Sequence, residues 1–120
     1  MATIAFSLPI IPGKTTAFRA AHRRFAVERR SEFEASRRRL GVTAERGYLQ
    51  HTPGGDLAVV VFEVSDPVRL FTETAGSVWP IDVEFRGYLL EVFGLDATAG
   101  PAALPSEQVF EWVAGDRSPP

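Results

Sequence analysis

Two histidines, an arginine on an apolar stripe and a few aromatic residues are the groups in this 120-residue chain whose types and spacing could do chemistry. His51 stands in "LQHTPGGDLAVVVFE", which runs from Leu49 to Glu63 and turns at Pro53-Gly54-Gly55-Asp56. Histidine exchanges protons near neutral pH, so an imidazole on the covered side of a strand is a candidate general acid or base. The other reading of His51 is a strand-end residue bonded to the turn backbone. His22 and Arg29 fall in the stripe Phe18, His22, Phe25, Arg29, Phe33, Ser36, Leu40. A guanidinium amid apolar side chains is costly unless it is paired or near water. Arg29 therefore reads either as a clamp for an enolate or other anionic oxygen, or as the partner of a local carboxylate or a side chain emerging where its helix overhangs the sheet. His22 reads as a secondary proton shuttle or as a half-buried histidine satisfied by its neighbours. Phe25, Phe62, Trp79, Arg86 and Tyr88 are the candidates for contacts with a substrate, with core packing the other reading of Trp79.

Composition removes several chemistries. The chain has no Cys, so it offers no disulfide, thiolate nucleophile or Cys-based zinc site. Two His on separate elements are a weak start for any metal site, and no metal or cofactor is expected. "PGKTT" has the end of a phosphate-binding loop, but Leu8 occupies the place of its first glycine. No Gly-x-Ser-x-Gly elbow is present. The net charge of −2 hides an asymmetry: residues 14–46 carry ten bases against four acids, a net of +6, and the remainder three bases against eleven acids, a net of −8. Acids interleave with the bases of the first segment, which marks a solvated helix face and not a nucleic-acid surface. No apolar run approaches the roughly 20 residues of a membrane span, and the N-terminus lacks a basic leader. The expectation is a cytoplasmic protein with neither a membrane nor a nucleic-acid partner.

The elements that must position these groups follow from periodicity. "TIAFSL" alternates, with Ile4, Phe6 and Leu8 on one face. Residues 14–40 lack Pro and Gly and predict one long helix, ended by Gly41. At about 40 Å it would outrun a strand of about 30 Å, so it must overhang the sheet or bend. Two strands flank the Pro53–Asp56 turn; pairing Thr52 with Leu57 puts Arg46 opposite Glu63. One hairpin face then carries Leu49, His51, Val60, Phe62 and Val64, and the other Tyr48, Gln50, Leu57, Val59 and Val61. Asp66 and Pro67 open a short helix closed by Gly76, and Ile81, Phe85, Leu89 and Val92 stripe a second, closed by Gly94. "QVFEWV" predicts a last strand, which sets residues 1–113 as one domain and 114–120 as a tail.

The order strand, helix, strand, strand, helix in two pieces, strand gives an α+β fold: a ferredoxin-like four-stranded antiparallel sheet with helices on one face. Both hairpin faces are apolar, so the face away from the helices needs a cover, and a second copy of the chain supplies one. Element order, length and "LQHTPGGDLAVVVFE" resemble the dimeric α/β-barrel superfamily. "ERRSEFEASRRRLGV" followed by "YLQHTPGGDLAVVVFE" resembles more narrowly a family of small bacterial proteins. The superfamily resemblance implies a homodimer with a pocket between helices and sheet in each subunit. It also implies cofactor-independent chemistry on a hydrophobic, aromatic or polyketide-like molecule: cyclisation, isomerisation or oxygenation assisted by acid and base. The Asn-Trp-His set of the superfamily's monooxygenases cannot be complete here, because the chain has no Asn. The alternative is a dimer that binds a small molecule or serves only as structure. An open cavity in which His51 and Arg29 converge favours the enzyme. A filled interior with Arg29 neutralised by a glutamate favours the second reading.

Overall fold

The computed structural model describes residues 1–100 and 103–115; residues 116–120 of the expected tail lie outside them. Strand β1 (Ala2–Pro9) leads to helix α1 (Thr15–Arg23), a π-helical turn (Arg24–Glu28) and helix α2 (Arg30–Arg39). Strands β2 (Val42–Thr52) and β3 (Gly55–Val64) form the hairpin, followed by α3 (Pro67–Gly76), α4 (Pro80–Phe93) and a 3₁₀ turn at Ala97–Ala99. Among the described residues the sheet is antiparallel in the order β1-β3-β2, with three strands in place of the expected four. "QVFEWV" forms no strand, because a strand exists only through a neighbour's backbone and this segment pairs with none of the described residues. Among the described residues no helix is long and apolar enough to cross a membrane.

The hairpin is two residues tighter than its sequence suggests. Thr52 pairs with Gly55, leaving Pro53-Gly54 as the turn, and Arg46 lies opposite Val61. A shift of two preserves which side chains share a face, whereas a shift of one would invert them all. Leu49, His51, Val60, Phe62 and Val64 therefore do share the helix side, with Ile4, Phe6 and Leu8 from β1. Arg46 still reaches Glu63 diagonally, at 3.5 Å.

The long helix is interrupted, and the interruption has a definite form. In an uninterrupted α-helix residues eight apart sit about 80° out of line. A π turn absorbs one extra residue and brings them back. Phe25 and Phe33 consequently meet, with tilted rings whose centroids are 5.4 Å apart. The turn ends at Arg29 (φ −119°, ψ 35°), which leaves the helical conformation before α2 begins. Asp82 locks α2 to α4 from inside: nearly unexposed, it accepts hydrogen bonds from Ser36, from Arg39 Nη2 (2.6 Å) and from Ser77. The ends of α3 and α4 follow the sequence. Asp66 caps α3 by accepting from the Arg69 N–H, and Gly94 closes α4 in the left-handed conformation (φ 67°).

The core divides in two. Ile4, Leu40, Val42, Phe62, Val64 and Leu70 pack at one end of the sheet; Ile10, Phe18, Ala58 and Val92 pack at the other. Between them, at the level of Val60 and Gly47, the helices stand away from the strands.

Candidate functional site

That gap is a cavity of about 610 Å³. Its floor is the middle of the sheet: Phe6 and Leu8 of β1, Glu45 and Gly47 of β2, Val60 and Phe62 of β3. Its roof comes from the helices. Phe25 in the π turn, Phe33 of α2 and Phe85 and Tyr88 of α4 contact one another with centroid separations of 5.4–6.2 Å. The π turn thus fits Phe25 and Phe33 into one aromatic wall, in keeping with the frequent occurrence of such turns at functional sites.

A connected polar group interrupts this wall. Arg37, almost buried, donates from Nε to Glu45 Oε1 at 2.5 Å, and its guanidinium packs against both the Phe33 and Phe85 rings, 4.2 and 4.4 Å from their centroids. Two residues along β2 from Glu45, Gly47 leaves the space that His22 fills. A Cβ at position 47 would stand 2.7 Å from the His22 Cε1 atom. The imidazole also packs on Phe18, with centroids 4.4 Å apart, and its Nε2 lies 3.4 Å from the Tyr88 hydroxyl. Partial burial of the ring lowers the His22 pKa from its ordinary 6.5, against a smaller upward pull from Glu45, while part of the residue stays exposed to solvent. Burial and, secondarily, the Glu45 charge raise the Tyr88 pKa. At neutral pH the site therefore holds a neutral imidazole beside a neutral phenol, a base next to a hydrogen-bond donor.

Of the residues singled out from the sequence, His22, Phe25, Phe62 and Tyr88 line the cavity. The other four lie elsewhere. His51 faces the helix side, as its strand position requires, but beyond the cavity. Its Nδ1 is 2.7 Å from Asp56 Oδ1, and Asp56 Oδ2 in turn accepts from Thr15 Oγ1 at 2.6 Å, which ties the hairpin tip to the start of α1. Arg29, turned out by the π turn, binds Glu84 together with Arg24, so His51 and Arg29 do not converge. Arg86 donates to the carbonyls of Thr74 (2.8 Å) and Ser77 (2.7 Å) at the end of α3. Trp79 stands outside the main cavity, with the Arg39 guanidinium 4.3 Å from its ring centroid. Arg29 and Trp79 instead border a smaller surface cleft of about 230 Å³.

Sequence reasoning missed Arg37, Glu45 and Gly47. Arg37 belongs to the basic last turn Arg37-Arg38-Arg39, which the helix dipole alone would account for. The available signal was Gly47, since a glycine inside a strand often marks a close approach by another group. Among the described residues no cluster of His, Asp and Glu could hold a metal ion. No family model, characterised protein or solved structure matches this chain.

Proposed function

We propose that the cavity binds a small hydrophobic molecule, aromatic or polyketide-like, and that His22 and Tyr88 catalyse proton transfer on it without a cofactor. The observation that carries this reading is a neutral imidazole, held by Gly47 beside a phenol donor, on the wall of an otherwise aromatic cavity. A volume of about 610 Å³ lies within the usual range for ligand sites. In the step we envisage, His22 takes a proton from the carbon next to a ligand carbonyl. The C–H electron pair moves into the enolate, whose oxygen accepts a hydrogen bond from Tyr88. Return of the proton from His22 to the same carbon is exchange, and its delivery to another carbon of the conjugated enolate completes an isomerisation; alternatively the enolate carbon attacks a second carbonyl, whose π electrons become an alkoxide that takes the proton from His22 and completes a cyclisation.

The open sheet face supports a homodimer of the α/β-barrel kind. Tyr48, Val59 and Val61 lie on that face with Thr3, Ala5 and Ser7, Tyr48 is half exposed, and a second copy would cover them.

A second reading, a binding protein without turnover, draws on the pairing of Arg29 with Glu84, Arg37 with Glu45 and Arg46 with Glu63. None of these three cations is left free to stabilise an oxyanion. Deuterium exchange into 2-tetralone, an enolisable aryl ketone, followed by NMR, separates the two. The catalytic reading expects exchange above background, a loss of about 10²–10⁴ in His22→Gln and a loss of about 10²–10³ in Tyr88→Phe. Saturable binding of the ketone with background exchange would leave only the binding protein.

A further inference from the structure

The segment Gln108–Val113 has no regular secondary structure, joins no ladder among the described residues and exposes four large apolar side chains: Val109 (84%), Phe110 (81%), Trp112 (76%) and Val113 (56%). Such a segment is an aggregation liability unless something covers it. The same molecule carries the complementary feature. In the order β1-β3-β2, β1 has one paired and one free edge. From Met1 to Gly13 the chain has no charged side chain, and β1 has no register shift against β3. β2, the other edge, is blunted by Glu45 and Arg46 and by the irregularity between Val42 and Ala44. Natural edges are protected by those devices, and β1 lacks them.

We infer that Gln108–Val113 of one copy adds as a fourth strand to the free edge of β1 in a second copy, so that two chains exchange C-terminal arms. This rests on the dimer proposed above and states how it is held. Alternation puts Phe110 and Trp112 on one side of the arm and Val109, Glu111 and Val113 on the other. On the open face of β1 the side chains are Thr3, Ala5 and Ser7, small enough to leave room beside them for the two rings. Two exchanged arms bring four aromatic rings of about 150–250 Å² each. That is about half of the roughly 1,600 Å² of a standard interface, and the open sheet faces can supply the rest.

Sedimentation at micromolar concentration tests the dimer, and the arm is tested separately. A Phe110→Glu/Trp112→Glu double variant should keep the parent's circular dichroism and raise the dimer dissociation constant tenfold or more. Because the chain has no Cys, an Ala5→Cys chain mixed with a Trp112→Cys chain reports the pairing directly: oxidation should yield the mixed covalent dimer in preference to either self-pair. A parent dimer that survives the double glutamate substitution unchanged, with no mixed disulfide, overturns the arm and leaves the face-to-face dimer standing. A monomeric parent overturns both. In that case, Trp112 emission in a Trp79→Phe background shows whether the arm has folded onto its own β1, by a blue shift, or stays in water.

Discussion

The two histidines occupy the same side of one sheet and have opposite surroundings. At the hairpin tip His51 is two-thirds exposed and meets a carboxylate that a threonine already holds. In the cavity His22 meets a ring, a phenol and the bare backbone of Gly47, and Glu45 bears on it only through space. The first arrangement fastens a turn to a helix start. The second keeps a base neutral and within reach of a ligand. Strand position decides the face, but the packing of the opposite layer decides whether that face is a wall, a gap or an end.

The contrast breaks most sharply at Gly47. Gly47→Ala should lower 2-tetralone exchange by about 10² or more, because the added methyl takes the place of the imidazole and a displacement of about 1 Å costs that much. Folding should survive, since alanine suits a strand at least as well as glycine. Gly54→Ala at the hairpin tip, where the nearest side-chain atom is 3.9 Å away, is the control and should leave exchange unchanged. Equal rates in the two variants would mean that the position of His22 does not matter. A smaller effect, on stability, is expected at Arg37. Arg37→Met strands the half-buried Glu45 and removes a cation packed against two rings, at a cost of about 2–3 kcal/mol by urea unfolding. Arg46→Met, in a largely exposed pair with Glu63, should cost less than about 1 kcal/mol.

Sequence showed the faces of the hairpin and not the hole above them. The faces survived a wrong register because a slip of two leaves period-2 alternation intact. The closing glycine of α4 and the cap of α3 were legible because each is fixed by local chemistry at one position. The π turn was not legible. An inserted residue changes the phase of a helix without changing its composition, so Arg29 counted as part of a stripe that it leaves. The cavity was not legible either, since it arises where two well-packed clusters fail to meet. The last strand has the aromatic and β-branched residues of a strand, but composition cannot name the chain that a strand pairs with.

The two regions also separate along the pH axis. Burial lowers the His22 pKa in the fold, so between that lowered value and 6.5 the unfolded chain binds more protons than the folded one. The stability is fully present above pH 6.5 and is lost as pH falls through the folded pKa. His22→Gln should flatten this slope, and NMR titration of the parent should place the His22 midpoint below 6.5. At the tip, hydrogen bonds from Thr15 and then His51 lower the Asp56 pKa from 3.8. Its contribution is present above 3.8 and is lost only in more acidic solution. A parent whose stability declines only in the acidic window would show that the His22 site is not desolvated.

The smallest expected effect is at His51. His51→Ala removes one of two hydrogen bonds to an exposed carboxylate and leaves the Thr15 bond in place. Tetralone exchange and affinity should match the parent, and the unfolding midpoint should move within error, as for most surface substitutions. Thr15→Ala makes the comparison sharper. It removes the tie between hairpin and α1 and should raise the Asp56 pKa toward 3.8 more than His51→Ala does, because the threonine bond is the larger cause of its depression. A loss of exchange in His51→Ala would move the chemistry to the hairpin tip and leave the cavity a ligand pocket at most.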